Sequence, residues 1–258
     1  WDAPVNQGVT CKVGRFYPAF DDRERLKTPL VRKNGALQPV SWEEALMTAA
    51  QKIKAASGHG LAALASTRLP LESLHLFRQL FLDDLHSEMV TSTEEGSRTA
   101  ILSRWAEKLG KPFEGKVERM HEAGAFLVMG ADLVTEHEVL GFFIRRRFPE
   151  PIKLIVVDEN ENGLGDLAHC DLTPQKKTQA TLLRGLIAAV AKLGQNQVAF
   201  NGQPDEEVLK ASSACGVASD LILEAAYQLT NSESPLIVYD PATIDDEVMQ
   251  LLLDLSQT

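Results

Sequence analysis

Two uninterrupted apolar runs in the middle of the chain constrain the fold more than any other stretch. Ala125–Met129 reads Ala-Phe-Leu-Val-Met, and Leu154–Val157 reads Leu-Ile-Val-Val. Neither run alternates apolar with polar residues. Such runs suit strands covered on both faces, as in a parallel sheet. Between them Val139, Leu140, Phe143 and Ile144 recur at helical spacing. The stretch Gly124–Asp158 therefore reads as a β-α-β unit. Gly130 and Asp158 fall at the carboxyl ends of its strands, the edge where open α/β sheets bind ligands.

The same alternation extends along the chain. Residues 1–40 read as irregular. Ser41 with Glu44 fits a capping box that opens a helix with Ala45, Leu46, Ala49 and Ile53 as its buried stripe. A strand at 61–65, a loop at Ser66–Pro70 and a helix marked by Leu74, Phe77, Leu80 and Phe81 follow, then a weak strand at 89–91 and a helix over 98–109. Beyond the central unit come a turn at 160–165, an apolar piece at 168–172, and a helix capped by Thr178 and running to Leu193. After a connection at 195–201 come helices at 204–211 and 218–229, a strand at 236–239 and a last helix at 244–255. Strands alternating with helices predict an α/β fold of Rossmann-like layered parallel sheets. The expected organisation is a lead-in of residues 1–40, a first α/β unit of 41–92 completed by 201–258, and a central Rossmann-like unit of 93–200.

A formal net charge of −10 argues against electrostatic nucleic-acid binding. No apolar run is long enough to span a membrane, so no direct membrane insertion is expected. Cys11, Cys170 and Cys215 form no close pair, which points to a reducing, cytoplasmic setting. The chain opens on Trp1 and closes on an amphipathic helix, and it is read as an excised part of a longer polypeptide.

Several residue groups suggest chemistry, each with a plainer structural alternative. Asp132 and His137 follow a strand end, where sites occur; against this, Asp132 and Thr135 can cap the helix that starts there and His137 can sit in its first turn. His169-Cys170-Asp171 offers metal-ligand or nucleophile types, or simply a short strand. Arg145–Arg147 suits a phosphate clamp or a solvated helix end that complements the macrodipole. Asp158 ends its strand like the acidic residue of a nucleotide fold, but no Gly-x-Gly-x-x-Gly precedes it. No Ser-His-Asp order and no Walker motif is visible.

A family resemblance spans nearly the whole chain. It rests on Pro4-Val5-Asn6-Gln7-Gly8-Val9-Thr10-Cys11-Lys12-Val13-Gly14-Arg15-Phe16, on Arg25–Arg32, and on Gly35 through Pro39-Val40-Ser41-Trp42-Glu43-Glu44-Ala45. Gly130–His137, Lys153–Asp158 and Thr178–Gly185 continue it in order. Together these resemble molybdopterin-dependent oxidoreductases, above all formate dehydrogenase α subunits and the large iron–sulfur subunit of NADH dehydrogenase. The resemblance implies that 1–40 is the remnant of an iron–sulfur region and linker. It implies that Cys11 is the last ligand of a [4Fe–4S] cluster, its partner cysteines lying upstream in a full-length chain. Lys12 stands one place earlier than the family's relay lysine. It implies that Gly130, Asp132, His137, Asp158 and Thr178 face the cofactor.

At the family's metal-ligand position, in the loop Ser66–Glu72, stands Leu69, which has no lone pair to offer molybdenum. His75 and His86 lie in the helix that follows. Where the family carries a guanine-reading aspartate this chain has Lys177-Thr178-Gln179, and where it carries Pro-Arg it has Glu159-Asn160. Molybdopterin guanine dinucleotide is therefore not the expected cofactor of this fragment, although 4Fe–4S is expected in its parent. The leading expectation is a structural or docking module without molybdenum in an electron-transfer complex, with other subunits of a redox complex as partners. An active molybdenum-pterin formate dehydrogenase domain and an independent nucleotide-binding protein are the alternatives.

Overall fold

The computed structural model describes residues 3, 6–56, 60–93, 103–107, 110, 115–148, 152–193 and 202–257. The chain divides into two compact units, one of residues 18–105 and one of residues 1–17 with 106–258. The division falls inside the first helix, α1 (Lys12–Phe20).

The smaller unit opens with a hairpin of β1 (Leu30–Lys33) and β2 (Ala36–Pro39). Asn34 and Gly35 turn it with φ of 53° and 81°. Positive φ at both central residues is the turn whose twist matches the flanking strands, and Asn-Gly is its usual sequence. Residues 1–40 are thus not irregular as expected; they hold a helix and a hairpin whose turn signal is legible in the sequence. The helix α2 (Trp42–Ala56) starts where expected, with the Ser41 hydroxyl accepting the Glu44 amide at 3.2 Å. Its expected buried stripe is absent: no residue of α2 is buried, and Leu46 is 62% exposed. The strands β3 (Ala62–Ala65) and β4 (Met89–Ser92) pair in parallel, joined through α3 (Leu71–Arg78) and a π-helical turn at Gln79–Asp84. Ala63 and Ala65 are buried, whereas Leu64 between them is exposed. This small parallel sheet is covered on one face only.

The larger unit carries the central β-α-β. Its elements are α4 (Arg119–Glu122), β5 (Ala125–Met129), α5 (Glu138–Arg146), β6 (Lys153–Val157), β7 (Cys170–Leu172), α6 (Gln179–Leu193), α7 (Pro204–Cys215), α8 (Ser219–Thr230), β8 (Leu236–Tyr239) and α9 (Asp246–Ser256). Four parallel strands form one sheet in the order β7-β6-β5-β8. Every residue of β5 and Leu154–Val157 of β6 are fully buried, which is why these segments carry no polar alternation. Phe126, Val128, Leu154 and Val156 cluster with Phe143 and Ile144 of α5. Each such side chain contributes roughly 1.5–3 kcal/mol by leaving water.

The expected completion of residues 41–92 by 201–258 is not what forms. Instead β8 pairs with β5, from Phe126 opposite Leu236 to Met129 opposite Tyr239, and 202–257 belongs to the larger unit. A four-residue apolar strand carries no local mark of the sheet edge it will join. The helix expected over 98–109 is described only at 103–107, which is helical; its remainder and the connection at 195–201 lie outside the described residues.

Candidate functional site

From β5 the chain runs to β6 on one side, while β8 lies on the other. The loops that follow β5 and β8 therefore lie side by side at the carboxyl edge of the sheet, at the switch point of the strand order. Gly130 takes φ +59°, and a Cβ there would collide with the Thr243 hydroxyl. That hydroxyl donates to the Gly130 carbonyl at 2.8 Å and lies 3.0 Å from the Asp240 carbonyl. The two loops are thus clamped together across the edge. Only a residue without Cβ tolerates both the backbone conformation and the close approach.

The loop after β5 is organised by Asp132. Its carboxylate accepts the Val134 amide at 2.9 Å, the Thr135 amide at 3.2 Å and the Thr135 hydroxyl at 2.5 Å. Partial burial tends to raise the Asp132 carboxyl, but these donors and nearby His137 outweigh it and hold the carboxyl below the usual aspartate range. Asp132 therefore closes the turn at 133–136; it does not cap α5, which starts at Glu138 with His137 before it and no side-chain cap bond. His137 is the residue before α5, and its side chain makes no cap bond. Glu138 receives both the amide and the ammonium of Lys12, at 3.3 and 3.2 Å. Lys12 is thus spent on an exposed ion pair.

Asp158, at the end of β6, accepts the Asn160 amide and the Asn162 side chain, both at 3.0 Å. Asn162 is not among the residues the sequence points to. It is buried, donates also to the Ala131 carbonyl, and accepts the Leu164 amide at 3.0 Å. It ties the loops after β5 and β6 together; the Asn-Gly pair at 162–163 is its sequence trace. Thr178 donates its hydroxyl to the Gln175 carbonyl at 2.6 Å and so closes the turn before α6. In that turn the Lys177 amide, at φ +66°, is taken by the Glu159 carboxylate at 2.7 Å. Gly130, Asp132, His137, Asp158 and Thr178 all belong to loops that leave the same edge of the sheet.

That edge also gathers three metal-ligand side chains. Glu136 and His137 from the loop after β5, and Asp240 from the loop after β8, place one donor atom each within 4.8 Å of one another. Asp240 and Thr243 carry no signal in the sequence that would single them out.

Other candidates sit elsewhere. Cys11 precedes α1, and its partly exposed sulfur accepts the Gly14 amide at 3.3 Å. Leu69 closes a turn in the smaller unit, its amide donating to the Ser66 carbonyl at 3.2 Å. His75 belongs to α3, and His86 follows the π-helical turn at φ 49°. Cys170 is fully buried in β7, and burial pushes its thiol up to about 11. The ring of His169 accepts the Leu154 amide at 3.3 Å through Nδ1, so it is held neutral, with burial lowering its pKa. His169-Cys170-Asp171 is thus a short strand and not a nucleophile. Arg147 is not a solvated end either: it donates to the Met120 and Ala123 carbonyls at 3.0 and 2.6 Å.

The profile of the family described as Molybdopterin oxidoreductase matches residues 25–238. The F420-dependent formate dehydrogenase 1 subunit alpha of Methanococcus maripaludis is 26% identical over 250 residues, covering 92% of this chain and 37% of that protein. One subunit of an NADH-quinone oxidoreductase of Rhizobium meliloti is 28% identical over 224 residues, covering 82% of this chain and 24% of that protein. Among solved structures, acetylene hydratase from Pelobacter acetylenicus superposes with a TM-score of 0.60 at 17% identity, over 90% of this chain and 34% of that one. The chain thus spans about a quarter to somewhat over a third of the length of these two relatives.

Proposed function

The chain belongs to the molybdopterin oxidoreductase family, and from that premise we propose that it is a structural or docking module of a redox complex which does not hold molybdenum. The reading is carried by Leu69. The position that the family resemblance assigns to the metal ligand holds a branched hydrocarbon, 43% exposed, in a turn where the Leu69 amide donates to the Ser66 carbonyl and the Arg68 amide to the Ser66 hydroxyl. No neighbouring side chain of that loop supplies a soft donor in its place. At the other unit's sheet edge, the Glu159 carboxylate already takes the Lys177 amide, where an anionic dinucleotide would need a donor. A carboxylate in that place would repel a phosphate. The residues present therefore do not fit a protein-ligated, pterin-bound metal, and no chemical step is assigned to them.

Both relatives are named as subunits of larger oxidoreductases, which supports a place among other subunits for this chain. Cys11, partly exposed at the start of α1, is assigned to a [4Fe–4S] cluster completed by thiolates outside this sequence, since a cubane needs four and Cys170 and Cys215 are buried in the core. Three free thiols support a reducing, cytoplasmic setting. Among the described residues no helix is long and apolar enough to cross a membrane.

Metal analysis of the full-length protein tests the proposal. Iron without stoichiometric molybdenum or tungsten is expected. Stoichiometric molybdenum together with formate-dependent dye reduction would overturn it.

A further inference from the structure

We propose that Glu136, His137 and Asp240 form a site for a divalent first-row transition ion at the carboxyl edge of the larger unit's sheet. Two carboxylates and one imidazole are a donor set suited to ions such as Mn²⁺ or Zn²⁺. The donors come from two loops that meet across the switch point, and one donor atom from each lies within 4.8 Å of the others. Metal–ligand distances near ~2.1 Å require donors about 3–3.5 Å apart. The closure needed is at most about 1.3–1.8 Å, within reach of rotamer changes at side chains that are not locked by packing.

Three observations support the assignment beyond proximity. First, the ligands are available. Among the described residues, the Glu136 carboxylate and the His137 ring make no side-chain hydrogen bond, whereas Asp132, Asp158 and Glu159 around them are satisfied by local donors. Asp240 spends one oxygen on the Ala242 amide at 2.8 Å, which orients the carboxylate and leaves the second oxygen for an ion. Second, the frame is fixed. The Thr243 hydroxyl bridges toward the carbonyls of Gly130 and Asp240, so the two donor loops cannot drift apart without losing it. Third, the local charge is negative. The Asp132 carboxylate lies near enough to His137 to interact with it electrostatically, and the Lys12 ammonium is already paired with Glu138. A cation relieves this excess, while an anion would add to it. The assignment uses neither Leu69 nor Glu159, so it stands or falls apart from the molybdenum question.

The probe is Mn²⁺ added to the full-length protein, followed by electron paramagnetic resonance with spin-echo modulation. One saturable site showing ¹⁴N modulation from a coordinated imidazole is expected. His137→Ala should remove the nitrogen signal. Asp240→Asn, which keeps the oxygen that accepts the Ala242 amide, should weaken binding about 10–100-fold. Neither side chain is buried, and thermal melting of each variant checks that the fold is kept. No saturable Mn²⁺ binding, binding without nitrogen modulation, or nitrogen modulation that persists in folded His137→Ala would each overturn the proposal.

Discussion

Asp132 shows how one side chain can look catalytic and be architectural. Its carboxylate collects three donors from Val134 and Thr135 in the same loop. The carboxyl is held below its ordinary range, despite partial burial, because those donors favour the charged form. A folded value below the unfolded one, near ~3.9, makes the contribution complete above that pH and lost as pH falls through the folded value. Asp132→Ala is therefore expected to lower stability by about 1 kcal/mol at pH 7, a figure kept small because the group is only partly buried. Urea midpoints should show the gap between wild type and variant narrowing as pH falls below the ordinary aspartate value of ~3.9. A gap that stays constant across that range would remove the charged carboxylate from the explanation. From sequence, a capping and a catalytic role both stay open for Asp132, since both use a short acid after a strand.

Among the elements, α5 is the one that fixes the site loop. Its apolar face, Phe143 and Ile144, is legible because helical periodicity is a local property. Its Gly141 is not, because the reason for it lies in another segment. A Cβ at Gly141 would strike the Leu133 carbonyl, a backbone atom that cannot turn aside. Gly141→Ala should push α5 away from the loop carrying Asp132 and His137 and cost about 1–3 kcal/mol, despite alanine's better helix propensity. Chemical denaturation reads the loss, and a variant as stable as wild type would show that the helix and loop are not in close contact. The hairpin turned by Asn34-Gly35 is the opposite case, since its signal is entirely local even though residues 1–40 as a whole read as irregular.

The two units differ in how far they bury their apolar residues. In the larger one, β5 and most of β6 are removed from water and covered by helices. In the smaller one, Leu46, Leu64 and Leu71 are 62%, 60% and 80% exposed. A parallel pair with a bare face gains little from burial to offset its ordering entropy. Residues 106–258 alone are therefore expected to unfold cooperatively, and residues 18–105 alone to bind a hydrophobic dye without a sharp transition. Calorimetry and dye fluorescence on the two pieces check this, and a cooperative transition in 18–105 would contradict it. The strands β5, β6 and β8 and the helices around them can be read in the chain, because the repeat of apolar residues declares an element wherever it forms. The partner of β8 cannot. Nor can the meeting of Thr243 with Gly130, 113 residues apart, nor that of Asp240 with His137. Contacts between distant segments leave no period in the sequence; the packing of the sheet creates them, and it is there that the candidate metal ligands come together.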